Sequence, residues 1–471
     1  MTKNIKVSST IVFLIIFFIG IYLRVYQIHF DDYWYDEYAS FWVADPSLSF
    51  SETLKRSYNF HYGNNLVFDI ILKYFFIIFN YDPEIGRYLP LFFGICSIPL
   101  LTYLSYQLDK DKSYLFTAFL ASISWYLISY SQETRCYSFS FFLATLSLIF
   151  FIKITNNNLK KNNQYFFSIL YIFSTFIGLS NHIFFFIIVL SQTLFLLIKF
   201  NLYKKKILFI SCNIFIAVIL YFAFMYKALI LQLSINDFWI TQVKSEFFVS
   251  YYFSRFFGSK IMGSIYLCTL IYLIFKEKNK FFYNQNKHLL LLIILFLSYG
   301  IPLIYGFIIK PILIDRYIIF VLIPIFLIIS NLTLSLKNVK IKKIILFTII
   351  FSTLGNNYLE IFNRIHSKPE FNKILDRIAV SDTKYIYLKA PDKTKQSLIN
   401  YIQLTKSYKN NHFKILDKVE VKKKINFWQV CYQPINNFNC DLDDNSKSFT
   451  LRKTIKFHLI EATLYSSNIK S

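Results

Sequence analysis

The sequence predicts an all-α polytopic membrane protein with a small C-terminal α/β domain outside the membrane. Three observations carry that prediction. The chain of 471 residues is 55% hydrophobic and 17% charged, where a soluble chain has about a quarter charged residues. Apolar stretches long enough to cross a bilayer recur from residue 9 to residue 358. Beyond about residue 360 the composition turns polar, with only short apolar stretches. These features exclude a single soluble domain, a disordered chain, a fibrous protein and a disulfide-stapled scaffold.

The net charge of +24 invites a nucleic-acid reading, but the basic residues come in short clusters between apolar runs, which is a topological pattern. Six cysteines, Cys96, Cys136, Cys212, Cys268, Cys431 and Cys440, lack paired metal spacing. The first apolar run follows Lys3 and Lys6 without a small-residue cleavage site, so it is expected to stay as an uncleaved first span.

The apolar stretches lie near 9–26, 85–108, 114–130, 138–154, 165–181, 183–200, 207–226, 261–275, 289–308, 317–334 and 341–358, about eleven spans in all. The stretch 65–80 is short and carries Asp69 and Lys73 four apart on one helical face, which suits an interfacial helix in the outer leaflet. With that stretch kept out of the count, six lysine clusters fall on one side. They are Lys3 and Lys6; Lys110 and Lys112; Lys153, Lys160 and Lys161; Lys199 and Lys204 to Lys206; Lys276, Lys278, Lys280 and Lys287; and Lys337, Lys340, Lys342 and Lys343. By the positive-inside rule that side is cytoplasmic, with the N-terminus, and the C-terminal domain is extracytoplasmic.

The opposite side holds Asp31, Asp32, Asp36, Glu37, Asp82, Glu84, Glu133 and Asp315. It also holds all six arginines before the tail: Arg24, Arg56, Arg87, Arg135, Arg255 and Arg316. Lysine suffices as a topogenic charge, whereas a planar guanidinium grips carboxylate or phosphate with two parallel hydrogen bonds. An anionic group handled at the outer face is therefore expected. Arg24 and Arg56 read better as snorkelling anchors, and Arg87, Arg135 and Arg316 as functional groups.

Four features stand out. Asp31-Asp32-Tyr33-Trp34-Tyr35-Asp36-Glu37-Tyr38 follows the first span. Its adjacent carboxylates suit a general base of raised pKa, a metal or a hydroxyl substrate, against the plainer reading of an aromatic belt with solvated acids. Ser131-Gln132-Glu133-Thr134-Arg135-Cys136-Tyr137 joins two apolar helices with an acid and a base two apart, which is otherwise a simple ion pair. His182 lies where the fifth and sixth spans meet, and Asp315-Arg316-Tyr317 opens the tenth from outside.

Taken in order, these segments resemble a known family. The Asp36-Glu37 pair after the first helix, a His61-containing amphipathic segment, Glu84-x-x-Arg87, Gln132-Glu133-x-Arg135-x-Tyr137 and Arg316-Tyr317 are similar to the dolichyl-phosphate-mannose protein mannosyltransferase-like family. That family includes the aminoarabinose transferases of lipid A, within the GT-C membrane glycosyltransferases. The resemblance covers about residues 1–335. One departure is clear: where the family commonly has His-Pro-Pro-Leu, this chain has His61-Tyr62-Gly63-Asn64-Asn65-Leu66, without the stiffening prolines.

The resemblance implies transfer of a sugar from a polyprenyl-phosphate donor to a hydroxyl acceptor on protein, lipid or glycan, with inversion, in the cell (cytoplasmic) membrane. It assigns Asp36 as the base and Glu37 as its orienting partner. Arg135 is the first choice for the donor phosphate, with Arg87 and Arg316 second. Glu133, Tyr137, His182, Glu84 and His61 are supporting residues. The cofactor stays open: a divalent cation, Mg or Mn, is compatible with Asp36 and Glu37, although two carboxylates alone make a poor cage.

The division expected is a transmembrane domain over 1–360, with a first outer loop at 27–84 carrying juxtamembrane helices, and a soluble domain over 361–471. In the latter, 371–378 and 397–404 read as helices and 384–388, 427–432 and 454–464 as strands. Cys431 and Cys440 there are candidates for a disulfide. The competing functions are a lipid or polysaccharide transporter or flippase and a polysaccharide polymerase or ligase. The nearly uncharged helix interiors and sparse Gly and Pro disfavour the transporter, and Asp36-Glu37 disfavours the polymerase.

Overall fold

The computed structural model describes residues 2–109, 113–156, 159–204, 206–234, 240, 242, 244, 248–282, 288–405, 408, 413–417, 426–432, 440 and 449–467. Lys110, Lys112, Lys205 and Lys287 of the charge pattern lie outside them. The chain forms two compact units. The first comprises Met1–Tyr26, Ser57–Phe68 and Pro90–Arg364, and the second Gln27–Arg56, Asp69–Leu89 and Ile365–Ser471.

The first unit is a helical bundle. All eleven apolar stretches are helical, and among the described residues seven helices are long and apolar enough to cross a membrane. These are Ser8–Val25, Pro83–Leu108, Tyr137–Ile154, Ile207–Leu233, His288–Ile308, Asp315–Ser335 and Val339–Phe362. The other four stretches differ for identifiable reasons. The stretch 114–130 breaks into Ser113–Ile123 and Trp125–Ser131, because Ser124 turns extended and its side chain accepts the Leu127 N–H. Lys161–Asn181 opens on a polar turn, while Ile183–Ile198 and Lys260–Lys276 are short.

That break explains a residue misjudged from sequence. Arg24 does not snorkel: it is 1% exposed, and its guanidinium donates to the carbonyls of Gly20, Ala121 and Ser122 at 2.9–3.0 Å. The carbonyls closing Ser113–Ile123 need donors, and Arg24 supplies two of them from the first helix. Elsewhere polar side chains bond between helices, as in Ser147, Thr175, Tyr171 and Gln192, where apolar packing alone gives little preference in lipid.

The second unit contains the helix Tyr35–Val43, most of Phe50–His61 and Leu66–Phe79, and the C-terminal domain. Ser49 and Glu52 form a reciprocal capping box that starts Phe50–His61. Leu66–Phe79 has 14 residues, about 21 Å, too short to span about 30 Å of hydrocarbon. Its two charges face protein: Asp69 and Lys73 are both buried, and Lys73 donates to Leu48 and Thr53.

Among the described residues, the C-terminal domain is a five-stranded sheet with two helices, Phe371–Ala379 and Asp392–Leu404. Its strands are β1 (Tyr385–Lys389), β2 (Lys414–Leu416), β3 (Asn426–Tyr432), β4 (Phe449–Phe457) and β5 (Ile460–Ser467), in the order β2-β1-β3-β5-β4. The single strand expected over 454–464 is instead the β4–β5 hairpin, turned at His458-Leu459 with Leu459 in the left-handed region at φ 55°. Cys431 and Cys440 are disulfide-bonded. Tyr38 joins this domain to the acidic loop, with its ring 4.8 Å from Tyr401, 5.9 Å from Phe371 and 6.2 Å from Tyr432.

Candidate active site

Two clusters of the expected residues form, one in each unit. In the second unit, Trp34 is the N-cap of Tyr35–Val43, and Asp36 and Glu37 lie in that helix's first turn, where the helix dipole favours negative charge. Asp36 is half-buried and Glu37 is 0% exposed. A carboxylate so desolvated needs cations. Arg87 supplies one, placing Nε 3.3 Å and Nη2 3.4 Å from the two Glu37 oxygens while Nη1 donates to the Ile28 carbonyl at 2.9 Å. Its guanidinium also lies 5.0 Å from the Tyr33 ring centroid.

The short turn Pro83–Gly86, capped by Asp82, delivers Arg87 to that place. Glu84 itself is exposed and meets Arg87 through its carbonyl, which accepts the Arg87 N–H. The second cation is Lys368, whose Nζ is 2.9 Å from Glu37 Oε2. A divalent ion does not fit this donor set, since Glu37 already carries two positive groups that would repel it. Among the described residues no group of three or more His, Cys, Asp or Glu is arranged to hold a metal.

The rest of the acidic loop is held by the same C-terminal segment. Asp31 accepts from the Ser367 backbone and hydroxyl at 3.3 Å and faces His366 Nδ1 at 3.3 Å. Asp32 accepts from Asn372 N at 2.8 Å and Nδ2 at 3.0 Å. Burial pushes the Asp32 carboxyl above its ordinary range, opposed by the Asn372 hydrogen bonds, Arg87 and His366. Burial likewise pushes the Tyr432 phenol up, and Glu37, Asp36 and Asp32 reinforce the effect. His366, Lys368, Asn372 and Tyr432 had no signal in the sequence, because each lies more than 300 positions from the loop.

In the first unit, Arg135 and Arg316 meet at one ring. Their guanidinium carbons lie 5.9 Å and 5.8 Å from the centroid of Tyr137, a cation–π arrangement on both. Arg135 comes from the tight turn 132–136, where its N–H donates to the Glu133 carbonyl at 2.6 Å, and its Nη1 contacts His61 Nε2 at 3.1 Å. Glu133 is buried in the same turn. His182 Nδ1 accepts the Phe184 N–H at 3.3 Å, so the neutral ring carries its proton on Nε2. The His182 ring lies 4.8 Å from Tyr317, beside Tyr137. Next to it opens a cavity of about 320 Å³, lined by Ile183, Phe184, Phe186, Ile187, Leu233, Ile301 and Pro302, with Asn64, His182, Gln232, Lys310 and Tyr317 as its main polar groups.

The segment His61–Asn65 shows what replaces the missing prolines. Tyr62, Gly63 and Asn65 all take left-handed backbone, with φ of 52°, 77° and 68°. The turn is locked by Asn65, whose N–H donates to the Asn181 carbonyl and whose Oδ1 accepts from Cys136 Sγ at 2.6 Å. A Cβ on Gly63 would lie 2.3 Å from Ala228 Cβ. Gly63→Ala is therefore expected to destabilise by about 2–4 kcal/mol through backbone strain and overpacking. Gly300→Ala, with nothing within 4 Å, should be neutral or slightly stabilising. Thermal unfolding of both variants in detergent checks this, and equal stabilities would contradict it.

No protein-family model matches the sequence, and no curated protein does. Solved structures do match. The crystal structure of ArnT from Cupriavidus metallidurans in the apo state is similar with a TM-score of 0.63 at 8% identity, covering 98% of each chain. ArnT bound to undecaprenyl phosphate is similar with a TM-score of 0.57 at 8% identity, over 99% of this chain and 98% of that one. The oligosaccharyltransferase AglB from Archaeoglobus fulgidus, in complex with an inhibitory peptide and a dolichol-phosphate, is similar with a TM-score of 0.51 at 11% identity. That match covers 88% of this chain and 62% of AglB. At such identities the likeness is one of fold, and the chain has the GT-C membrane fold that its sequence resemblance implied.

Proposed function

We propose that the chain is an integral membrane glycosyltransferase that moves a sugar, with inversion, from a polyprenyl-phosphate donor to a hydroxyl acceptor on protein, lipid or glycan. The observation that carries this reading is the meeting of Arg135 and Arg316 at Tyr137, next to an apolar cavity. A phosphate is matched by guanidinium forks, and an isoprenoid tail by an apolar wall. The two structural neighbours that hold undecaprenyl phosphate and dolichol-phosphate support the same donor class.

The displacement needs a base for the acceptor's proton and positive charge for the departing phosphate. Asp36 takes the first role. The acceptor hydroxyl gives its proton to Asp36 as its oxygen bonds to the anomeric carbon, and the carbon–oxygen bond to phosphate breaks with its electron pair. Arg135 and Arg316 take up the charge on the released polyprenyl phosphate, and Lys310 is the further cation at the cavity. Arg87 is reassigned from phosphate binding to orienting Glu37, which its guanidinium already grips.

The extracytoplasmic face is the reading that suits the Cys431–Cys440 disulfide, since such bonds persist in oxidising compartments, with the N-terminus cytoplasmic by the lysine pattern. Incubating the purified protein with polyprenyl-phosphate sugars and a panel of hydroxyl acceptors tests the function. Release of free polyprenyl phosphate that depends on an acceptor is expected. No release from any donor would sink the reading.

A further inference from the structure

The acidic loop carries four carboxylates in seven residues, Asp31, Asp32, Asp36 and Glu37, and the segment 366–372 bonds to three of them. We infer that this segment is a positioning element for the loop, in which Lys368 holds Glu37 and thereby sets the helical turn that presents Asp36. The inference rests on the proposed role of Asp36 as base.

The contacts to Glu37 are unequal. Arg87 approaches at 3.3–3.4 Å, long for charge-assisted hydrogen bonds, whereas Lys368 approaches at 2.9 Å. A tight partner of this fully buried carboxylate therefore comes from the C-terminal domain. The helix start has need of it. Its N-cap is Trp34, with no side-chain cap hydrogen bond, because an indole has a donor and no acceptor for the first-turn N–H groups. Lys368 lies 5.7 Å from the Trp34 ring while bonding Glu37, so one side chain spans the start of the helix from cap to third residue. Asp36 sits between those two positions.

Asn372 and Ser367 fix the segment itself. Asn372 grips Asp32 with two bonds and accepts from Tyr401, and Ser367 grips Asp31 with two. His366 stacks on Phe30 with centroids 4.3 Å apart. Lys368 is thus held on a rigid base, which is what positioning a neighbour to a few tenths of an ångström requires.

The test compares Lys368→Met and Lys368→Arg in the full-length protein, with transfer measured as a function of donor. Lys368→Met should lower kcat about tenfold or more while donor KM stays within about twofold, as expected when geometry at the reacting centre is lost and donor binding is kept. Lys368→Arg should recover most of kcat. An unchanged kcat in Lys368→Met, or Lys368→Arg no better than Lys368→Met, overturns the inference. Should Lys368→Met fail to fold, His366→Gln loosens the same segment, and there a fall in kcat at constant donor KM supports it and an unchanged kcat overturns it. A wild type that turns over no donor overturns the glycosyltransferase reading as well, whereas an active wild type with an indifferent Lys368→Met overturns this inference alone.

Discussion

Replacing Asp36 by Asn is expected to abolish sugar transfer, with a fall in kcat of about 10²- to 10⁴-fold, while the lipid donor still binds. Asparagine keeps the shape and the helix position of the side chain and loses only the ability to take a proton. Donor binding is assigned to other residues, Arg135 and Arg316, so donor KM should barely move. A steady-state titration of donor against Asp36→Asn and wild type checks both halves. Full activity in the variant would remove Asp36 from the mechanism. A rise in donor KM with kcat intact would make it a binding residue.

Replacing Arg135 by Ala should instead weaken the donor's hold. A hydrogen bond to a charged group contributes about 1.5–3 kcal/mol, so donor KM should rise about 10- to 100-fold. Arg135→Lys is expected to recover little of this, because an ammonium keeps the charge and loses the planar fork. The loss should also reach His61, which Arg135 contacts at 3.1 Å. Turnover by Arg135→Lys equal to wild type would reduce the guanidinium to a generic positive charge, and equal turnover by all three proteins would reduce it to a structural anchor.

How much of this was legible in the sequence depends on how local each cause is. Helix Tyr137–Ile154 is readable because span length and apolarity are properties of one stretch. The Asp36-Glu37 pair is readable because the two carboxylates are adjacent. Arg24 was misread because snorkelling and burial look alike from one helix, and the deciding carbonyls belong to Ala121 and Ser122. The β4–β5 hairpin was hidden because His458-Leu459 is not a turn-forming pair, and pairing with β3 and β4 overrides that preference.

The residues of the candidate site divide along the same line. Arg135, Arg316 and Tyr137 were picked out by residue type and by resemblance, and their meeting is a tertiary fact. Arg87 was picked out for phosphate, but its partner 50 positions away, Glu37, becomes visible only once Pro83–Gly86 has turned the chain. Lys368 is one of many tail lysines, and at 331 positions from Glu37 no spacing rule connects the two. The sequence shows only that the prolines after His61 are missing, and the turn built by left-handed Tyr62, Gly63 and Asn65 in their place is a tertiary fact.

The central claim is that the chain holds a polyprenyl-phosphate sugar through Arg135 and turns it over through Asp36. Native mass spectrometry of purified Asp36→Asn protein, with Arg135→Ala as the control, tests it most directly. A co-purified polyprenyl-phosphate sugar in the first protein and its loss in the second is the predicted result, and the mass would identify the class of sugar. Bulk phospholipid alone in both proteins would contradict the account.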